Sequence, residues 1–180
     1  MSGSTVYFVA QSLDGFIADR HGALDWLLDF GFDDFQQQYD EFLASVGAIV
    51  MGAGTLRWLA AEGESWGYEG TPTWVVTSSE LPTIVGAEYV RATDALDAIR
   101  AARTAAAKKK VWVVGGGMLA GSLLDAGVLD ELHLTIMPLT LGTGVPVLPH
   151  SAARFPWHLQ SARPIGAAGA VELRYRARSS

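Results

Sequence analysis

The chain predicts an α/β fold, with a mostly parallel central sheet, helices on both faces and an antiparallel hairpin at the C-terminal end. Three observations carry this. Short β-branched runs alternate with helix-period segments over most of the length, the pattern of parallel strands joined by crossover helices. Two of the strands run straight into glycine junctions that open a helix. Beyond the glycine–proline loop from Leu141 to Pro146 no helical period remains, and two alternating segments follow each other.

Thr5 to Ala10 (TVYFVA) reads as a buried first strand. Asp14-Gly15 is a turn signal, and the irregular segment continues through His21-Gly22 to Trp26. A long loop directly after a first strand is a common place for a site. Asp33-Asp34 is read as the cap of a helix to about Ser45, with Phe35, Gln38/Tyr39, Phe42 and Leu43 as its buried stripe. Ala48 to Met51 is the second strand, and Gly52-Ala53-Gly54-Thr55 leads into a helix through Leu56 and Leu59. Glu62 to Gly70 is loop, Thr73 to Thr77 a strand, and Ala87 to Arg91 a short one. Asp94 caps an alanine-rich helix to about Ala107.

Val111-Trp112-Val113-Val114 is the central strand, buried on both faces, and Gly115-Gly116-Gly117 follows at once. Met118, Leu119, Leu123 and Leu124 then recur at helical spacing until Gly127. Leu132 to Ile136 is a further strand closed by Pro138. Trp157–Ala162 and Ala170–Ala177 form the terminal hairpin, with Val171, Leu173 and Tyr175 expected to point inward.

Composition narrows the function. One hundred and eighty residues form a single domain, 1–180, and 49% hydrophobic with 18% charged residues describes a filled globular core. A net charge of −6 disfavours a nucleic-acid partner, and the basic run Lys108-Lys109-Lys110 is read as complementing a helix end. The absence of cysteine excludes disulfides, a thiol nucleophile and a cysteine metal site. His21, His133, His150 and His158 show no metal-ligand spacing, and no metal is expected. The chain enters a strand directly, without a signal peptide or an apolar run of spanning length, so a cytoplasmic protein with no membrane partner is expected.

The glycine junctions bring bare backbone N–H groups to the positive end of a helix dipole, where a phosphate or pyrophosphate can sit. The same glycines also serve a plain tight turn, and by themselves they leave both readings open. Gly115 to Ala120 formally satisfies G-x-G-x-x-A, but late in the chain, without a following acidic strand end and without a Tyr-x-x-x-Lys pair. A standard Rossmann dehydrogenase is therefore disfavoured.

Several segments together resemble a known family. Ser12-Leu13-Asp14-Gly15-Phe16-Ile17-Ala18 has the form S-x-D-G-x-I-A, and Met51-Gly52-Ala53-Gly54-Thr55 the form M-G-x-x-T. Val76-Thr77-Ser78-Ser79 has the form V-x-S-S, and Val114-Gly115-Gly116-Gly117 that of the I-G-G-G turn. Leu129-Asp130-Glu131-Leu132, then Leu134-Thr135-Ile136, Pro138, Gly142, Gly144 and Pro146 complete the series. In this order, over nearly the whole chain, they resemble the dihydrofolate reductase-like proteins. The nearest branch is the reductase domain of bifunctional riboflavin-biosynthesis proteins and its stand-alone relatives.

The resemblance implies a reductase that uses NADPH, with NADH as the alternative, to transfer hydride to a small heterocyclic or carbonyl substrate. The nearest named activity is 5-amino-6-(5-phosphoribosylamino)uracil reductase; dihydrofolate is disfavoured. No zinc deaminase is expected within these residues, because its motif needs cysteine. Carried over by position, Ala10 and Ile17 border the nicotinamide. Thr55 and Gly115, Gly116 and Gly117 hold the pyrophosphate, with Gly52 and Met118 also among the cofactor-binding residues, and Thr77, Ser78 and Ser79 lie by the adenosine ribose. Thr135 faces the substrate.

Dihydrofolate reductases place a carboxylate a few residues after a Trp. Here Trp26 is followed by Asp29, Asp33, Asp34 and Asp40, and Asp29 is the candidate acid. The family's arginine for a 2′-phosphate is replaced by Ala53, so Arg57 or Arg91 would have to supply that charge. Kinship also implies a homodimer through the Leu132–Ile136 strand and the terminal hairpin. The rival reading is a non-catalytic nucleotide- or ligand-binding module on the same fold.

Overall fold

The computed structural model describes residues 3–63, 66–150, 154–167 and 169–178. Eight strands form one sheet: β1 (Thr5–Ser12), β3 (Val46–Gly52), β4 (Thr73–Val76), β5 (Val90–Ala92), β6 (Lys110–Val113), β7 (Glu131–Met137), β9 (Trp157–Ile165) and β10 (Ala170–Ala177). Their order is β5-β4-β3-β6-β1-β7-β10-β9. All neighbours are parallel as far as β7, and β10 runs antiparallel to both β7 and β9.

Connection direction decides which face each helix takes. From β1 the chain steps through α2 (Asp33–Ala44) to β3, and through α3 (Ala53–Ala61) to β4, both towards one edge. It then returns through α4 (Ala95–Ala106) to β6 and through α5 (Gly117–Asp125) to β7. Right-handed crossovers in opposite directions must lie on opposite faces. Accordingly, Phe42 of α2 and Leu56 of α3 pack with Val6, Ile49, Met51 and Trp112. Ala98, Ile99 and Ala102 of α4 and Leu119, Ala120 and Leu123 of α5 pack with Tyr7, Val50, Val111 and Val113 on the other face. Alternation along the central strands supplies both cores. Among the described residues, no helix is long and apolar enough to cross a membrane.

Four local expectations change. The cap position of α2 is Phe32, which makes no side-chain cap bond; Asp33 and Asp34 lie inside the first turn. The Asp34 carboxylate instead accepts the Ala167 N–H of the β9–β10 turn at 2.9 Å, which ties the helix start to the hairpin. The basic run does not end α4: Lys110 opens β6, and its ammonium pairs with Glu131 at 2.6 Å. The long segment after β1 is more ordered than its composition suggests, containing β2 (Phe16–Ala18) and the single turn α1 (Asp25–Leu28). β2 pairs with β8 (Val145–Pro146) in a two-stranded ribbon.

The fourth change concerns β10. Tyr175 packs on the core beneath α4 and α5, but Val171 is exposed and Glu172 is fully buried. The reason is coverage, because the face carrying Glu172 reaches Gln38 of α2, while Val171 stands on the opposite face.

Beneath α2 runs a stripe of buried polar groups on β7 and β10. Glu131 receives hydrogen bonds from Lys110 at 2.6 Å and Arg176 at 3.1 Å, and its carboxylate lies 3.2 Å from His133 Nε2. Burial alone would raise the Glu131 carboxyl, but His133, Lys110 and Arg176 outweigh it and hold it far below the usual 4.5. Burial also favours neutral His133, whose pKa falls below 6.5 despite its contact with Glu131. Glu172, likewise opposed by burial, is held down by Arg174, Arg163 and Gln38.

In all three cases the unfolded chain binds more protons than the folded one, so acid destabilises. Stability is expected to fall as pH drops below about 6.5 through His133, and again below about 4.5 through the two glutamates. Urea midpoints measured from pH 7.5 to 3.5 test this. Glu131→Gln should lower the midpoint at neutral pH and flatten its acid limb; a pH-independent wild-type midpoint would refute the assignment.

Candidate active site

Two strand–glycine–helix junctions meet at the carboxyl ends of β3 and β6. These strands are neighbours in register, Val50 opposite Val113, while α3 and α5 leave them on opposite faces. A crevice opens at such a switch point. Gly115 leaves β6 so close to Thr55 that a Cβ there would stand 2.7 Å from the Thr55 hydroxyl. Gly116, the cap of α5, has φ +89°, a conformation that L side chains rarely adopt. Neither α3 nor α5 has a side-chain cap, so their first N–H groups are not taken by one. This cradle suits a pyrophosphate.

The β2–β8 ribbon closes over the same junction. Any Cβ on Gly117 would collide with the Pro146 carbonyl of β8, which brings the strand carrying Ile17 against the start of α5. Asp14 fastens the preceding loop. Its carboxylate accepts the Leu141 and Gly142 N–H groups at 3.1 and 2.7 Å and the Ser12 hydroxyl at 2.6 Å. The Ser12 bond is the main cause of a pKa below the ordinary aspartate value.

Beside the crevice lies a cavity of about 370 Å³ between the sheet and α1–α2. Phe8 and Ala10 of β1, Thr135 and Met137 of β7, and Leu27, Phe32, Phe35, Gln38 and Tyr39 are among its lining residues. No Asp, Glu, Lys or Arg lines it among the described residues. Its polar groups are the Gln38 amide, the Tyr39 phenol and the Thr135 hydroxyl. Burial raises the Tyr39 pKa, so the phenol stays protonated at neutral pH.

Of the residues singled out in the sequence, Ala10 and Thr135 line the cavity, while Gly52, Thr55 and Gly115 to Gly117 flank the crevice. Met118 stands exposed in the first turn of α5. Thr77 and Ser78 follow β4, whose Val76 pairs with Gly52. Both candidate arginines reach this strand end, Arg57 donating to Ser79 Oγ at 2.6 Å and Arg91 to the Ser78 carbonyl at 2.7 Å.

Asp29 is not brought to the cavity. It is exposed at the C-cap of α1, and the residues of that turn that pack inward are Trp26 and Leu27. The carboxylate nearest the cavity in hydrogen-bond terms is Glu172, one amide away through Gln38. In the sequence Gln38 falls on the apolar stripe of its helix, and Glu172 falls on the outward side of its strand. A polar position on a helix stripe is the one available signal for Gln38; none marks Glu172. No group of three or more His, Cys, Asp or Glu forms a metal site among the described residues.

The sheet order, the two-faced helix arrangement and the terminal hairpin define a dihydrofolate reductase-like α/β protein. Within that class the chain belongs to the RibD C-terminal domain family, which matches residues 4–168. The uncharacterized protein YwjB of Bacillus subtilis is 28% identical over 178 residues, covering 97% of this chain and 98% of that protein.

Solved structures with identities of 15–23% share the fold. A protein from Shewanella sp. PV-4 whose name places it in riboflavin biosynthesis superposes with a TM-score of 0.83 at 23% identity, over 99% of this chain and 100% of the other. The Thermotoga maritima diaminohydroxyphosphoribosylaminopyrimidine deaminase/5-amino-6-(5-phosphoribosylamino)uracil reductase gives 0.69 at 17% identity, over 98% of this chain and 57% of the other. Dihydrofolate reductase from Enterococcus faecalis, solved with NADP(H), gives 0.65 at 15% identity, over 99% of both chains.

Gly117→Ala forces the β8 carbonyl away and is expected to destabilise the fold by about 1–3 kcal/mol in urea unfolding. Gly115→Ala should cost less, since only the Thr55 side chain must turn. Equal, negligible costs would show that the junction is not packed as described.

Proposed function

We propose that this chain is a nicotinamide-dependent reductase acting on an uncharged heterocyclic or carbonyl group. The observation that carries this reading is the adjacency of the uncapped glycine crevice, at the ends of β3 and β6, to an apolar cavity on the neighbouring strands β1 and β7. Gly52, Thr55 and Gly115 to Gly117 would hold the pyrophosphate through backbone N–H groups and the Thr55 hydroxyl. Ala10 and Ile17 would border the ring. When bound, the cofactor supplies a hydride.

The chain's own groups then do the rest. Leu27, Phe32, Phe35 and Met137 exclude water from the acceptor, and the Thr135 hydroxyl and Gln38 amide orient it. Family membership supports pyrimidine reductase-like chemistry. Among the described residues no Lys or Arg lines the cavity, which leaves a phosphoribosyl tail to be bound outside it.

Arg57 and Arg91 converge on Ser78 and Ser79, where the resemblance puts the adenosine ribose. They would replace the arginine missing at Ala53 and favour NADPH over NADH. A non-catalytic binding module is the second reading, favoured by the lack of a carboxylate at the cavity. Binding of the cofactor without turnover of any pyrimidine, pterin or quinone substrate would establish it.

We also propose a homodimer through the sheet face opposite α2. Leu159 and Val171 are exposed there, in line with Leu134, Ile136 and Leu173. In sedimentation at micromolar concentration the chain should run as a dimer that Leu159→Lys with Val171→Lys converts to monomer; a wild-type monomer would refute it.

Calorimetric titration with NADPH and then NADH is the deciding experiment for the enzyme reading. Tighter binding of NADPH is expected, and Arg57→Ala with Arg91→Ala should lower its affinity about tenfold or more while leaving NADH unaffected. Failure of both nucleotides to bind would remove the reductase reading.

A further inference from the structure

Glu172 has no exposed surface, and three donors meet its carboxylate. One carboxylate oxygen accepts Arg163 Nε at 2.6 Å, and the other accepts Arg174 Nη2 at 2.8 Å and Gln38 Nε2 at 2.6 Å. Arg163 and Arg174 reach towards solvent, with side chains 49% and 31% exposed, so the cluster is neutralised from outside. The third partner points the other way, because Gln38 and Thr135 both line the apolar cavity.

This arrangement fixes which way the amide faces. A carboxylate only accepts, so the nitrogen of Gln38, not its oxygen, must meet Glu172. The same nitrogen has a second hydrogen, which reaches Thr135 Oγ1 at 3.4 Å. The Thr135 oxygen is thus used as an acceptor, and its own proton has no partner among the described residues. That proton is free to be donated into the cavity. The neighbouring phenol of Tyr39 is also protonated.

We propose that Glu172 is a positioning residue that acts through Gln38 to set the Thr135 hydroxyl as a donor, so that the cavity selects an uncharged flat ring with a carbonyl oxygen and rejects a cationic one. The inference rests on the reading of this cavity as the substrate site. A cation meets no counter-charge there: among the described residues no carboxylate lines the wall, and the anion behind Gln38 is already committed to two arginines, so its desolvation is offset only by the ring faces. A carbonyl oxygen gains a donor in a low-dielectric pocket.

Three ring systems of similar shape separate these contributions: naphthalene, 1,4-naphthoquinone and N-methylquinolinium, each titrated into the full chain by calorimetry. The wild type should bind the quinone about tenfold tighter than naphthalene, and the cation more weakly than either. Thr135→Val and Glu172→Gln should each abolish the quinone's advantage while leaving naphthalene affinity unchanged. The double variant should lose no more than either alone, because both cut one chain of bonds. Gln38→Met, which leaves Glu172 with its arginines, should reproduce the loss and stands in if Glu172→Gln does not fold.

A Glu172→Gln or Gln38→Met protein that keeps the quinone's advantage would overturn the proposal. So would a variant that weakens naphthalene and quinone alike, the mark of a purely structural role. The NADPH titration separates this from the reductase reading. Quinone selectivity that depends on Glu172 without nucleotide binding would support the relay and defeat the reductase. Nucleotide binding without quinone selectivity would defeat the relay alone, and failure of all three rings to bind overturns it together with the cavity as a substrate site.

Discussion

The handedness of strand crossovers is the constraint on which this structure depends. β1 sits between strands reached by leftward and rightward steps, and each direction commits its helices to one face. The consequence at β3 and β6 is local and chemical. Two neighbouring parallel strands send their chains to opposite sides, so the backbone at Gly52–Thr55 and at Gly115–Gly117 parts and leaves a cleft lined by N–H groups. Side chains there would fill the cleft, and glycine keeps it open. The β2–β8 ribbon depends on the same feature, since its carbonyl at Pro146 occupies the space that a Cβ on Gly117 would need.

The second organising feature is the polar stripe beneath α2. Burying Glu131, His133 and Glu172 would be unfavourable for isolated groups, and each carboxylate is instead met by two or more cationic or amide donors. The cross-strand register makes this arrangement inevitable once the sequence is set. Arg176 lies opposite Glu131 and Glu172 opposite Thr135, while Arg174, opposite neutral His133, turns to Glu172 on its own strand. The aromatic rings of Phe8 and Phe42 pack on His133 and keep water from it. α2 thus rests partly on aromatic packing and partly on hydrogen bonds, and its Gln38 joins the stripe to the cavity.

Much of the fold was legible because it is written in local patterns. Val111 to Val114 reads as a doubly buried strand, Gly115 to Gly117 as a turn, and Asp94 as the helix cap it proves to be, accepting the Asp97 N–H at 2.8 Å. The order of strands in the sheet was not legible, since periodicity does not say that β6 inserts between β3 and β1. What failed depended on distant partners. Asp34 leaves its expected cap role because a turn 133 residues later offers a donor. Val171 and Glu172 exchange their expected environments because coverage by α2, not strand alternation, decides which face is inside. For the candidate site, the backbone elements of the crevice were visible, whereas the carboxylate expected at Asp29 is not at the cavity.

That last difference has a chemical consequence. A carboxylate on the cavity wall carries its charge into a low-dielectric space, and favours a ligand that brings a proton or a cation to meet it. Here the nearest carboxylate is set one amide back and is neutralised by Arg163 and Arg174. What reaches the cavity is direction without net charge: an N–H that fixes a hydroxyl, and an O–H left to point at the ligand. Such a wall can polarise a carbonyl as negative charge grows on its oxygen, which is the change that hydride addition causes. It offers no counter-charge to a protonated ring. Setting the anion one side chain back from the wall is the feature on which the proposed preference for an uncharged carbonyl ring rests.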